Sequence, residues 1–129
     1  MVYADSLTSQ PINLQFRRVG VTTINYKPED SIYISFFVQR QGIGDAPESE
    51  DSLLLYFKNI NNEWVKKWGI SGGFVGAFQE YFVAIASYDF LIPNFQFRFV
   101  NYTKATGNLN HWHLDYIRIE KNRRSNEKT

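Results

Sequence analysis

With 129 residues and a net charge of +1, the chain suits one domain, and its 43% hydrophobic content excludes a disordered polymer. It has no cysteine, which rules out disulfides, thiolate metal sites and a thiol nucleophile, and no run of about 18 apolar residues that would span a membrane as a helix. Lys121, Arg123, Arg124 and Lys128 against Glu127 give residues 121–129 a charge of +3 and leave residues 1–120 at −2, so the folded body has no basic footprint for nucleic acid.

Aromatic residues make up 17% of the chain and recur in alternating runs, a pattern suited to pleated, half-buried strands. Two short extended pieces, Ser6–Ser9 and Ile12–Phe16, flank Pro11, and Val19–Tyr26 reads as one further strand. Asp30–Gln39 alternates most cleanly. Ile32, Ile34, Phe36 and Val38 share one face, and Tyr33, Ser35, Phe37 and Gln39 share the other. Apolar and aromatic residues on both faces predict a central strand with one face in the core and the other partly covered.

Asp51–Lys58, Glu63–Trp68, Gln79–Ala86, Asn94–Tyr102 and His111–Glu120 complete the predicted set, with Phe95, Phe97 and Phe99 forming an apolar row. Asn59–Asn62 reads as a hairpin turn, because Asn tolerates positive φ. All four prolines fall between the runs, where a missing N–H removes no ladder bond. About eight strands with regular turn signals predict an all-β antiparallel sandwich of jelly-roll type over residues 1–120, followed by a disordered basic tail over 121–129.

Four carboxylates, Asp45, Glu48, Glu50 and Asp51, crowd the loop Gly42–Asp51. They form either a solvated acidic loop or, through Asp45, Glu48 and Asp51, a calcium site built from hard oxygen donors. His111, His113 and Asp115 share one strand face. Alternate residues about 7 Å apart make three ligands in one row a strained zinc site, and aromatic packing with Asp115 bonded to a loop or to Arg98 is the simpler reading.

Surface aromatics are the remaining signal. Trp64, Trp68 and Trp112 are the candidate ligand-binding residues, able to stack on sugar rings or anchor a protein, with Tyr81 and Tyr88 as further candidates. No Gly-x-Ser-x-Gly elbow occurs, and no carboxylate pair has the strand spacing of sandwich glycosidases, so catalysis is not expected.

Several segments in order resemble the MAM-type branch of the concanavalin A-like jelly rolls. Ala4–Leu14 is similar to its opening strand and Asp30–Gln39 to the strand that follows. Asp51–Phe57 with Trp64–Trp68, then Asn94–Phe99 and His113–Ile119, resemble its later strands. The resemblance covers roughly residues 4–120 and lies in the order of weak patterns. It implies a non-catalytic adhesion or structural module of a secreted or surface protein, with a protein or glycan ligand. A carbohydrate-binding module with a calcium-braced loop is the alternative. The family's cysteines are absent, and its further N-terminal strand would precede this chain. The expectation is therefore an N-terminally incomplete sandwich with an open sheet edge, suited to a homodimer through strand pairing.

Overall fold

The computed structural model describes residues 3–40, 52–71, 79–103 and 112–121. Nine strands occur among them: β1 (Tyr3–Thr8), β2 (Phe16–Val19), β3 (Thr22–Asn25), β4 (Tyr33–Arg40), β5 (Ser52–Lys58), β6 (Trp64–Ser71), β7 (Gln79–Ala84), β8 (Phe97–Thr103) and β9 (Trp112–Glu120). They form a four-stranded sheet in the order β1-β8-β5-β6, a three-stranded sheet β7-β4-β9, and a separate two-stranded hairpin β2-β3. Every pairing is antiparallel.

The alternation of residues dictates how the two larger sheets meet. On β4 the side chains of Ile34, Phe36 and Val38 are buried, as are Leu53, Leu55 and Phe57 on β5 and Phe97 and Phe99 on β8. Apolar rows on facing sheets lose water together, which is the main favourable term in closing a sandwich. Phe36 is the keystone. Its ring meets Trp68 of β6 edge-on at 4.8 Å and Phe99 of β8 at 5.0 Å, so one β4 side chain bridges to two strands of the other sheet.

One end of the core is closed without regular strand. Phe90, Leu91, Ile92 and Phe95 are all buried, and Phe57 packs edge-on against Phe90 at 5.4 Å and Phe95 at 5.3 Å. Phe95 makes a single bridge to Ile12 before β8 starts at Phe97, later than the predicted Asn94. The Phe90–Ile92 run lies outside every predicted strand, yet belongs to the core.

The predicted hairpin turn at Asn59–Asn62 is present. Asn62 sits at φ 63°, its N–H donates to the Asn59 carbonyl, and the Asn59 Oδ1 accepts from the N–H groups of Asn61 and Glu63. The N-terminal third differs from expectation. Val19–Tyr26 is not one strand; the chain turns at Gly20 and Val21, so Phe16–Val19 pairs with Thr22–Asn25. Gly20, at φ 64°, supplies the left-handed backbone that this two-residue turn requires. A 3-10 turn at Pro28–Asp30, with Asp30 Oδ2 accepting from the Lys27 N–H, then redirects the chain into β4.

Among the described residues, β1 and β6 bound the larger sheet and β7 and β9 the smaller. Leu7 is paired with the inward-facing Phe99 yet is 53% exposed. The smaller sheet therefore leaves Leu7 open to solvent.

Candidate binding surface

The outer face of the three-stranded sheet is built from residues that alternate with the core row. On β4 these are Tyr33, Ser35 and Phe37. In register beside them lie Glu80, Phe82 and Ala84 of β7, and Asp115, Arg118 and Glu120 of β9. As expected for a central strand, this side of β4 is substantially covered: Tyr33 is buried, Phe37 is half-buried, and Ser35 is 0% exposed.

A bulge in β9 adds a further ring. Ser35 pairs with Arg118 and Phe37 with Asp115, so Tyr116 and Ile117 together oppose Phe36. Tyr116 takes φ 54°, and its N–H donates to Asp115 Oδ1 at 2.8 Å, a local bond that holds the left-handed conformation. The kink sends Tyr116 outward, where its ring meets Phe37 edge-on at 5.6 Å, while Ile117 still packs on the core.

Phe82 meets Tyr33 edge-on at 5.7 Å across the neighbouring strand. The Tyr33 hydroxyl donates to Glu120 Oε2 at 2.8 Å, and Arg118 Nε lies 3.6 Å from the other carboxylate oxygen. Phe82 is 50% exposed and Tyr116 66%. Two half-open rings thus stand on a rigid sheet, bordered by carboxylates and one guanidinium. Rings of this kind supply flat apolar contact area, and the charged border supplies directional hydrogen bonds.

Ser35 forms the floor of this face. Its Oγ finds no hydrogen-bond partner among the described residues. A buried hydroxyl without a partner is destabilising.

The tryptophans singled out from sequence are not brought together here. Trp64 pairs with Lys58, so it stands on the outer face of the four-stranded sheet. The Arg98 guanidinium lies 4.0 Å from its ring centre and donates from Nε to Thr8 Oγ1. Trp68 instead points inward, packed on Phe36 and 5.0 Å from Tyr81. Four positions apart on a regular strand, these two rings would share a face. The register shift between Leu55 and Tyr56 leaves Lys67 as an extra residue in β6 and flips the alternation. Trp112 opens β9, where its backbone pairs with Arg40.

Asp45, Glu48, Asp51 and His111 lie outside the described residues. Asp115 is not paired with Arg98, which belongs to the opposite sheet. Among the described residues no three His, Asp or Glu side chains are grouped to hold a metal ion, and no helix is long and apolar enough to cross a membrane.

On the outer face of the larger sheet, Tyr56 is held above the usual phenol range, first by desolvation and then by the charge and hydrogen bond of Tyr102. The two rings form a small polar cluster on the sheet face opposite the core.

Fold and surface together define an all-β protein of antiparallel sheets packed in a sandwich-like manner. No protein-family model, no curated protein and no solved structure matches this chain.

Proposed function

We propose that the chain is a non-catalytic adhesion or structural module of a secreted or surface protein, with jelly-roll connectivity and the outer face of β7-β4-β9 as its contact surface. The observation that carries this reading is the pair Phe82 and Tyr116, half or more exposed on a rigid sheet and bordered by Glu80, Asp115, Glu120 and Arg118. Exposed aromatics on a pre-formed surface are the residues from which interfaces draw most of their energy. Support for the connectivity comes from the path after β4: the chain passes to the larger sheet for β5 and β6, then visits the smaller for β7, the larger for β8 and the smaller for β9. The MAM-like order of segments agrees with it.

The test uses beads coated with the wild-type chain and with a Phe82→Ser/Tyr116→Ser variant, presented to a polysaccharide and glycan array and to surfaces coated with the same chain. Adhesion that falls at least tenfold in the variant, at unchanged thermal stability, supports the reading; a tenfold loss corresponds to about 1.4 kcal/mol. Equal adhesion by both beads, or adhesion to nothing, overturns it.

A second reading, a carbohydrate-binding module, draws on the same face. Aromatic rings beside carboxylates and a guanidinium suit a sugar, whose C–H face stacks while its hydroxyls bond at the rim. Binding to glycans but not to chain-coated surfaces would select it.

A further inference from the structure

The hairpin β2-β3 is the most exposed element among the described residues. Its strands pair with each other and with neither larger sheet. Only Phe16 is even half-buried, and Val21 at the tip is 100% exposed. A lone two-stranded hairpin is marginal in water, so its surface is a natural one to cover.

One side of it carries Arg17 and Ile24 as a pair, then Val19 and Thr22, with Val21 at the turn. Val19 and Ile24 are exposed there. On the opposite side the Arg18 guanidinium lies 5.9 Å from the Phe16 ring centre. Between Phe16 and Lys27 the sequence holds Arg17, Arg18 and Lys27 and no acid, a charge of +3.

The outer face of β7-β4-β9 has the opposite character. Glu80, Asp115 and Glu120 against Arg118 give a net charge of −2 around the exposed rings of Phe82 and Tyr116. Dimensions agree as well. A strand of four residues is about 13 Å long, and the two outer strands of a three-stranded sheet are about 10 Å apart, so the hairpin spans the face.

We propose that the hairpin of one copy docks on the β7-β4-β9 face of a second copy, with Val19, Val21 and Ile24 against the rings and Arg17, on the same side of the hairpin, against the carboxylate border. The inference rests on the reading of that face as the contact surface, and it names the partner as a second copy of this chain. The charge pairing makes the contact weaken with salt, since exposed charges are screened beyond about 8 Å at physiological ionic strength. It also gives the surface two unlike halves, which a mixing experiment can separate.

The experiment is sedimentation velocity of the full chain at low salt, over a concentration series. Expected are self-association of wild type that weakens with added salt, and monomers for both Arg17→Glu/Arg18→Glu and Phe82→Ser/Tyr116→Ser. An equimolar mixture of the two variants then forms a 1:1 dimer, because one keeps an intact face and the other an intact hairpin. Both variants change exposed residues, so circular dichroism should show the wild-type fold. A strictly monomeric wild type, self-association unaffected by the arginine reversal, or a mixture without dimer overturns the inference. The adhesion assay above judges the face separately: face-dependent binding to glycans with a monomeric wild type leaves that reading standing and removes only the second copy as partner.

Discussion

Replacing Phe36 by alanine tests the packing of the two sheets most sharply. Phe36 is fully buried and touches Trp68, Tyr81 and Phe99, with ring centres 4.8, 5.9 and 5.0 Å away. Truncating a buried phenylalanine typically removes about 3–5 kcal/mol, as lost transfer energy plus the cavity left behind. Each aromatic pair adds about 0.5–1.5 kcal/mol beyond buried area, and three pairs are lost here, which places Phe36→Ala at the upper end, about 4–5 kcal/mol. Domains of this kind have a total stability of about 5–15 kcal/mol, so the variant should be measurable near the lower limit of folding.

Urea denaturation followed by circular dichroism gives the number, provided the slope with denaturant stays at its wild-type value. Phe82→Ala is the control. It lies on the outer face of the same sheet, half exposed, and should lose under about 1 kcal/mol. If Phe36→Ala lost under about 1.5 kcal/mol, or no more than Phe82→Ala, the sheets would not meet over this ring and the sandwich described above would be wrong.

Ser35→Ala should stabilise the chain by about 0.5–2 kcal/mol, because it removes a buried hydroxyl without a partner; a lower melting temperature would show that the hydroxyl is satisfied. For Tyr56, the folded pKa lies above the unfolded value near 10, so its contribution is fully present below pH 10 and is lost as pH rises through the folded value. Tyr56→Phe should flatten the alkaline fall in stability above pH 10, and identical curves would refute the shift. A calcium-braced Gly42–Asp51 loop predicts that saturating calcium raises stability by about 2.7 kcal/mol at a hundredfold excess over Kd, lost in Asp45→Asn/Asp51→Asn. A melt unmoved by EDTA would remove that site.

Much of the architecture was legible because it follows period-two alternation. Ile34, Phe36 and Val38, then Leu53, Leu55 and Phe57, stand out as core rows in the sequence and are buried in the fold. The two-sided character of β4 was equally visible, and so was the Asn59–Asn62 turn. Alternation fails wherever the register slips. A single extra residue, Lys67, puts Trp64 and Trp68 on opposite faces of β6, and the bulge at Tyr116 creates an outward ring that no strand pattern marks.

Two other differences have similarly local causes. Gly20 and Val21 sit inside a run of β-forming residues, so the turn between β2 and β3 was hidden in what looked like one strand. Phe90, Leu91 and Ile92 have no alternation because they close the core end from a turn-rich segment; three consecutive apolar residues before Pro93 were the available sign. The proposed contact surface was only partly legible for the same reason. Tyr33 and Phe37 were readable as the second face of β4, whereas Phe82 and Tyr116 join them through pairing across three strands.

The chain is proposed to meet its partner through the outer face of β7-β4-β9. Hydroxyl-radical footprinting of aromatic side chains, comparing the chain free in solution with the chain held on an adhesive surface, tests it most directly. Phe82 and Tyr116 should become protected while Trp64, on the outer face of the other sheet, keeps its free reactivity. Protection of Trp64 with Phe82 and Tyr116 unchanged would contradict it.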